Sequence, residues 1–375
     1  MHISSNFDSG NIRVISAEHH NDIQLAINKD HQSDFYQWFH FRLQSTPFVS
    51  HSLCINELKQ SAYPEGWQNY QVVASYDRQE WFRVEASFNG DQLQFEFTPE
   101  HDSVYFSYFA PYSYERHLDL ISSAQVAFDC RHKLLGQTLD GRDISLLIVG
   151  EADANKPKIW ITARQHPGET MAEWCAEGII SRLLDEHDGV GRELLEKAVF
   201  YIVPNMNPDG AARGHLRTNA VGVNLNREWA SPSLDKSPEV YLVMQEMDSV
   251  GVDMYLDLHG DEALPYNFVA GSEGVPKFDE KMESLETLFK STLLNVTPEF
   301  QVEYGYPKDA PGEANLTVAS NAVAEKFNCM ALTVEMPFKD NANLPDIAYG
   351  WSPQRSMQFG EDLLVATRAV LAQLG

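Results

Sequence analysis

The sequence is organised around one short stretch, Ala163-Arg164-Gln165-His166-Pro167-Gly168-Glu169-Thr170, which separates a strand-like run, 158–162, from a helix-like run, 172–185. His166 and Glu169 are three positions apart, so a tight turn or a first helical turn brings an imidazole and a carboxylate to one point. Zinc accepts both groups, and a third protein ligand plus water makes a catalytic site. Taken alone, the pair fits a helix cap or a surface ion pair equally well. The interpretation therefore depends on residues further along the chain.

Polar residues follow several strand-like runs in the second part of the sequence. From residue 143 onwards such runs alternate with longer helical patterns, which indicates an α/β domain with a largely parallel or mixed sheet covered by helices. In open sheets of this kind, ligands gather at the carboxyl ends of the strands. Four polar clusters come directly after four such runs: His166, Asn207-Pro208-Asp209-Gly210, His259 and Glu335. We therefore expect these side chains to meet at one edge of one sheet.

His259 and Glu335 extend the predicted metal site. His259 is the candidate third ligand, and Asp257 on the same strand face is placed to steady its imidazole. Glu335 ends an apolar run, where a carboxylate is costly to desolvate unless something pairs with it or uses it. Beside an activated water, Glu335 is the predicted general base that takes a proton and returns it to a leaving amine. The alternatives are a hydrogen-bonded structural histidine and a salt-bridged strand end.

The segment 207–229 offers cations and amides to a substrate. Arg227 with Asn226 has the geometry to hold a carboxylate bidentately, and Arg217 is suited to face a developing oxyanion. Four neighbouring residues are interpreted as turn or surface residues: Asp209, Gly210, Arg213 and His215.

The first part of the chain, 6–111, has the pattern of a β-rich unit. Short aromatic and β-branched runs alternate polar and apolar positions and are separated by turn signals. These runs are 37–43, 70–76, 81–88 and 93–97. Their number and spacing suggest an antiparallel β-sandwich. An apolar, aromatic passage then leads into a helical pattern, 113–124, so we expect a packed interface between two domains instead of a flexible tether.

Composition narrows the class of function. The 375 residues carry a formal charge of −26, which argues against nonspecific binding to nucleic acid or to anionic membranes. No run reaches the roughly 18 apolar residues of a membrane helix. The start of the chain has neither a basic nor an apolar segment typical of a signal peptide, so we expect a cytoplasmic protein. The four cysteines are widely spaced and are predicted to be reduced, buried thiols: Cys54, Cys130, Cys175 and Cys329.

Together these motifs resemble the zinc carboxypeptidase A-like family, and specifically its cytosolic carboxypeptidase branch. The matching motifs are His166-Pro167-Gly168-Glu169, Asn207-Pro208-Asp209-Gly210, Gly222-Val223-Asn224-Leu225-Asn226-Arg227, His259 and Thr333-Val334-Glu335. Upstream, Phe7-Asp8-Ser9-Gly10-Asn11 and Tyr36-Gln37-Trp38-Phe39 resemble the β-sandwich that precedes the catalytic domain in that branch. The resemblance implies a β-sandwich domain, 1–112, and a catalytic domain, 113–375. For the catalytic domain it implies a mixed sheet of eight strands flanked by helices.

The resemblance also implies a role for each matching residue. His166, Glu169 and His259 match the ligands of a single zinc ion per chain. Glu335 matches the general base, and Arg217 matches the arginine that polarises the scissile carbonyl.

A second group of residues concerns the substrate and one departure from the family. Asn226 and Arg227 match the pair that grips the terminal carboxylate. Where the family has an aspartate that supports the first histidine ligand, this chain has Asn224, a neutral acceptor that leaves the ligand less basic. A tyrosine that closes over substrate in relatives matches either Tyr304 or Tyr306.

The predicted function is removal of C-terminal residues from peptides or protein tails. Several members of the branch remove glutamates, and an acidic preference here needs a cation in the pocket, for which Lys308 and Lys339 are candidates. The alternatives are a zinc amidohydrolase or deacylase acting on acyl-amino acids or cell-wall peptides, and a binding module that holds metal without turnover. The expected partner is a peptide or protein C-terminus, with neither nucleic acid nor membrane. The sequence leaves the oligomeric state open.

Overall fold

The structure is a computed structural model that describes residues 1–151, 153 and 155–374. Its N-terminal part forms two five-stranded sheets. The first sheet contains, in spatial order, β1 (His2–Ser4), β4 (His40–Gln44), β10 (Ser103–Ser107), β6 (Val72–Ser75) and β7 (Phe82–Val84). The second sheet contains β2 (Arg13–His19), β3 (Asp22–Ala26), β5 (His51–Asn56), β9 (Leu93–Phe97) and β8 (Ala86–Phe88).

Aromatic side chains from both sheets fill the sandwich. The ring of Phe106 on β10 lies 5.3 Å from that of Phe95 and 5.4 Å from that of Phe97, both on β9. Apolar residues on alternate positions of each strand therefore meet between the sheets, as the sequence pattern predicts. Two details differ from the prediction. The β3–β5 pair is parallel, and the run 81–88 is divided between the two sheets, because β7 ends at Val84 and β8 begins at Ala86.

The second part of the chain is built on a single mixed sheet. In spatial order it contains β11 (Cys130–Gln137), β12 (Asp143–Val149), β14 (Val199–Val203), β13 (Lys158–Ala163), β15 (Met254–Asp261), β17 (Met330–Pro337) and β16 (Phe268–Ala270). Four adjacent strands of this sheet are parallel to one another: β14, β13, β15 and β17. The expected eight strands are wrong, since this sheet has seven. Next to β16 the chain makes only one isolated bridge, between Asn267 and Phe300, which does not extend into an eighth strand.

Helices cover both faces of this sheet. They are α1 (Tyr114–Ala124), α2 (Thr170–Leu183), α3 (Gly189–Lys197), α4 (Pro208–Arg213), α5 (Pro238–Val250), α6 (Glu280–Val296), α7 (Ala319–Phe327) and α8 (Pro353–Leu371). Apolar residues of α2, α3, α6 and α8 share one core with the sheet, and those of α5 and α7 share a second core with its other face. None of the described helices is both long and apolar enough to cross a membrane.

The parallel strands bring the predicted polar residues to one edge. In the β15–β17 pair His259 lies directly opposite Glu335. Both strands continue a few residues beyond the ends of the apolar runs in the sequence. His166 follows the neighbouring strand β13. The N-terminal sandwich packs beside this edge, where the ring of Tyr108 lies 4.7 Å from that of Phe338.

Candidate metal centre and active site

The three predicted metal ligands lie together. Glu169 bridges the two imidazoles, because its Oε1 lies 2.7 Å from His166 Nδ1 and its Oε2 lies 2.7 Å from His259 Nδ1. All three side chains are buried, and one ligand atom from each lies within 4.8 Å of the others. Glu169 precedes α2 but makes no capping hydrogen bond to it. The carboxylate therefore faces the histidines and does not cap the helix.

The outer nitrogens of both imidazoles have partners of their own. His259 Nε2 lies 2.8 Å from Asp257 Oδ2, and His166 Nε2 lies 3.1 Å from Asn224 Oδ1. An imidazole that donates its Nε2 proton leaves the Nδ1 lone pair for a metal. Burial lowers the pKa of His166 to about 4, with a further contribution from Arg217, so this ring is neutral at pH 7.

The electrostatics at His259 favour a positive charge between these groups. Burial works against protonation of this ring, but the carboxylates of Asp257 and Glu169 raise the pKa of His259 well above its ordinary value. A bound cation can take over this stabilising role from the proton. Two imidazole nitrogens and one carboxylate, all buried and convergent, form a donor set that fits zinc.

Asp257 is fixed by its own hydrogen bonds. Thr162 Oγ1 donates to Asp257 Oδ1 at 2.7 Å, and Gln165 Nε2 donates to Oδ2 at 2.6 Å. Trp229 Nε1 in turn donates to Gln165 Oε1 at 2.8 Å. This chain of contacts fixes the carboxylate and, through it, the ring of His259.

Glu335 faces the site with one oxygen that has no partner. Its Oε2 is buried and makes no hydrogen bond to any described residue, while its Oε1 lies 3.1 Å from the Tyr306 hydroxyl. That hydroxyl lies closer, at 2.7 Å, to Asp261 Oδ2. Burial raises the pKa of Glu335 well above its ordinary value, against the opposing charge of His259. Of the two candidate tyrosines, Tyr306 is therefore the one beside the site, since Tyr304 stacks on Tyr266 at 4.5 Å.

Arg217 and Arg227 line the same cavity. Burial and the charge of Arg217 lower the pKa of Arg227. The Arg227 Nη1 atom donates to the carbonyl of Asn226 at 2.6 Å, which leaves its remaining donors for a substrate. The Asn226 side-chain oxygen accepts from the backbone N–H of Ala319 at 2.8 Å. The Asn226 amide nitrogen lies 3.3 Å from His259 Nε2, and it is the side-chain atom of Asn226 that remains to meet a bound carboxylate.

The cavity has a volume of about 760 Å³ and extends away from the metal ligands. Its far end is lined by charged residues of α6 and of the segments on either side of it. Lys308 Nζ lies 2.7 Å from Glu273 Oε1, and Lys290 on α6 pairs with Glu286. Lys339 is not among the lining residues, because it is largely buried and donates to the carbonyls of Glu65 and Ala263.

Three of the residues interpreted as turn or surface residues are buried: Asp209 and Gly210, both in α4, and His215. Asp209 accepts from Thr138 Oγ1 at 2.8 Å and from Arg142 Nη1 at 2.9 Å, and it anchors α4 to the loop after β11. His215 lies between the backbone N–H of His31, at 3.1 Å, and the carbonyl of Thr218, at 3.0 Å. For these three residues the interpretation was wrong.

Sequence reasoning missed three residues near Arg217 that come from the N-terminal sandwich. They are Asp30, Phe35 and Tyr63, of which Tyr63 lines the cavity. Each lies in a loop that is far along the chain from the motifs of the catalytic domain. No spacing pattern connects such residues to a site that only the packed domains bring together.

Comparisons with known proteins agree with this geometry. Residues 3–109 match the cytosolic carboxypeptidase N-terminal domain, and residues 124–358 match the zinc carboxypeptidase family. A crystal structure from Shewanella denitrificans is 54% identical with a TM-score of 0.98, covering 100% of this chain and 99% of that one. A metallo-carboxypeptidase from Pseudomonas aeruginosa, solved with (2-guanidinoethylmercapto)succinic acid, is 46% identical with a TM-score of 0.98, and the match covers 100% of both chains.

A eukaryotic relative is more distant and much longer. Human cytosolic carboxypeptidase 1 is 30% identical over 72% of this chain. The match spans 26% of the human protein.

Proposed function

The chain belongs to the zinc carboxypeptidase family and is a metallocarboxypeptidase, and on this premise we propose that it uses one zinc ion to remove C-terminal residues from peptides or protein tails. His166, Glu169 and His259 would hold the ion. The observation that carries the proposal is the buried cluster of these three residues with the unpartnered Glu335 Oε2 facing it. A buried carboxylate oxygen without a hydrogen-bond donor is costly unless a ligand or water uses it.

The chemistry divides between the ion and the protein. When bound, zinc supplies Lewis-acid chemistry, since it polarises a carbonyl and makes water more acidic. Glu335 Oε2 takes a proton from the attacking water as the water oxygen bonds to the carbonyl carbon. The same carboxyl returns the proton to the amide nitrogen as the carbon–nitrogen bond breaks, so the products are a shortened peptide and a free amino acid.

The arginines bind the two charged parts of the substrate. Arg217 faces the carbonyl oxygen, whose negative charge grows in the transition state, and interactions of this kind lower the barrier most. Arg227, helped by the amide nitrogen of Asn226, holds the terminal carboxylate. This pairing restricts cleavage to the last peptide bond.

The proposal includes a preference for acidic last residues, glutamate among them, which depends on Lys308. This ammonium lines the cavity and its side chain is 72% exposed, so it can turn toward a substrate carboxylate. A substrate glutamate must compete with Glu273 for it. The opposite preference has one observation in its favour: the compound bound to the P. aeruginosa protein carries a guanidine arm, and a cationic arm would pair with Glu273.

A cytoplasmic location completes the proposal. All four cysteines are buried free thiols, the state that a reducing compartment maintains.

The experiment is mass spectrometry of a peptide pool incubated with the zinc-loaded protein. Each sequence is present with a free and an amidated C-terminus and with an acidic, basic or apolar last residue. Losses of last residues confined to free ends support the proposal and reveal the side-chain preference. Release of acyl groups from acyl-amino acids, with the peptides unchanged, would favour the deacylase instead, and an inert protein would contradict both activities.

A further inference from the structure

A buried carboxylate of the N-terminal sandwich holds the backbone of Arg217. Asp30 lies in the loop between β3 and β4 and is 2% exposed. Its Oδ1 accepts from the backbone N–H of Leu216 at 2.7 Å. Its Oδ2 accepts from the backbone N–H of Arg217 at 2.8 Å and from the backbone and hydroxyl of Thr218 at 2.9 and 3.0 Å. One side chain thus satisfies three consecutive residues centred on the predicted oxyanion arginine.

The guanidinium of Arg217 is held by rings from the same domain. Its central carbon lies 5.6 Å from the centre of the Phe35 ring and 5.4 Å from that of Tyr63, distances typical of cation–π contacts. Within the described chain, no group accepts a hydrogen bond from this guanidinium. Aromatic faces hold the group in place without using its N–H donors, which stay available for an oxygen in the cavity.

Further contacts connect the same two loops. The backbone N–H of His31 donates to His215 Nε2 at 3.1 Å. At Gly222 the backbone φ is +80°, and an added Cβ would lie 2.4 Å from the carbonyl oxygen of Gln32. The loop 28–35 and the loop that carries Arg217 are therefore fitted to each other along their length, and only glycine is tolerated at their closest approach.

We infer that the N-terminal domain is part of the catalytic apparatus: Asp30 is a positioning residue that sets the backbone of Arg217, and Phe35 and Tyr63 aim its guanidinium at the developing oxyanion. This inference rests on the proposed function. Hydrogen bonds to a carboxylate are shorter and stronger than those to a neutral acceptor, so Asp30 fixes the loop more firmly than an amide could. Small displacements of a group that stabilises the transition state lower the rate strongly while affecting substrate binding less.

The test compares Asp30→Asn with Asp34→Asn in the zinc-loaded full chain. Asp34 lies in the same loop, but its side chain is 97% exposed and, among the residues that the structure describes, pairs with Lys29 alone, which makes it a matched control. For a peptide with a free C-terminus we expect kcat of Asp30→Asn to fall about 10- to 100-fold with KM within about threefold of wild type. Asp34→Asn should match wild type. Equal kcat values for the two variants would overturn the inference.

Two readouts separate positioning from general loss of structure. In a double-mutant cycle, Asp30→Asn combined with Arg217→Ala should be no slower than Arg217→Ala alone, because both changes remove the same interaction. Fully additive losses would mean that Asp30 acts on something else.

Affinity for a peptide phosphonate, a tetrahedral anionic mimic, should fall at least tenfold in Asp30→Asn while affinity for the free amino acid product stays unchanged. Equal losses for both ligands would also contradict the inference.

A second variant covers the case in which Asp30→Asn does not fold. Phe35→Leu removes one ring beside the guanidinium and leaves the hydrogen bonds of Asp30 in place. Its kcat should also fall with little change in KM, but by a smaller factor than in Asp30→Asn, and an unchanged kcat would overturn the role of the rings.

If the wild-type protein turns over no peptide at all, the proposed function fails first and the inference fails with it. If wild type is active and the variants equal it, only the inference fails.

Discussion

The two ends of the cavity hold their charged groups in different ways. At the metal end, Asp257 is fully buried and has hydrogen bonds to both oxygens, and Glu169 bridges two buried histidines. At the far end, Lys308 is mostly exposed and pairs with Glu273. A buried, fully bonded group keeps one geometry, whereas the ammonium of Lys308, whose side chain is 72% exposed against 16% for Glu273, can exchange partners readily. The difference is consistent with our proposals that the reacting groups are preset and that adaptable charges recognise the side chain of the substrate.

The largest effect is expected from breaking the metal end. Glu169→Gln replaces the charged ligand with a neutral one, so zinc should be lost on dialysis and turnover should fall at least about 1,000-fold. Metal analysis together with peptide hydrolysis measures both. Glu193→Gln is the control, because Glu193 pairs with Lys197 and Arg368 at the surface and does not line the cavity. Full zinc content in Glu169→Gln would show that this carboxylate is not a ligand.

Arg227→Ala tests the connection between the two ends. Charge-assisted hydrogen bonds to a carboxylate contribute about 1.5–3 kcal/mol, which corresponds to a rise in KM of about 10- to 100-fold. The rise is expected for peptides with free C-termini, and kcat should change little, while the matched amidated peptides should stay uncleaved by both proteins. Steady-state kinetics with matched free and amidated peptides provide the measurement. An unchanged KM would remove the carboxylate grip from the account.

Asn224→Asp adds a charge at the metal end and tests whether the contact to His166 tunes zinc affinity. Asn224 Oδ1 lies 3.1 Å from His166 Nε2, and a carboxylate at this place makes the imidazole a stronger ligand. We expect zinc affinity to rise about tenfold. Competition with a chelator of known affinity at fixed pH gives the dissociation constant. The same affinity in both proteins would show that this contact does not tune the metal.

The smallest effect is expected at the far end, from a pair of opposite changes. Lys308→Ser should lower kcat/KM for peptides ending in glutamate, and Glu273→Gln should raise it by freeing Lys308, each by about two- to fivefold, as expected for an ion pair with one exposed partner. Peptides with an apolar last residue are the internal control. Both effects should shrink in 0.5 M salt, because salt screens exposed charges. A change of the same size for the apolar peptides would mean that the pair acts on something other than the substrate charge.

Local patterns in the sequence predict much of the metal end. His166 and Glu169 are three residues apart at the start of a helix, and His259 and Glu335 lie near the ends of parallel strands, whose neighbours are known once the alternation is recognised. Residues at the far end of the cavity and residues of the sandwich reach the site through tertiary packing, which local sequence patterns do not record. Asp30 is 187 positions from Arg217, and nothing in its own loop distinguishes it from the exposed Asp34.

The errors have similar physical causes. The run 81–88 keeps one alternating pattern although the chain changes sheets between Val84 and Ala86, because the pattern records burial and not the identity of the partner strand. The sequence around His215 has the composition of a loop. The sandwich loop packs over this residue, and its His31 backbone N–H donates to the His215 ring.

We propose that zinc and Glu335 together activate water at a preset site. The most direct test of this proposal is single-turnover hydrolysis by Glu335→Gln, with zinc content measured on the same sample. We expect one zinc per chain and a rate about 100- to 10,000-fold below wild type, the range associated with a general base. A zinc-loaded Glu335→Gln protein that hydrolyses peptides at a rate within a few-fold of wild type would contradict it.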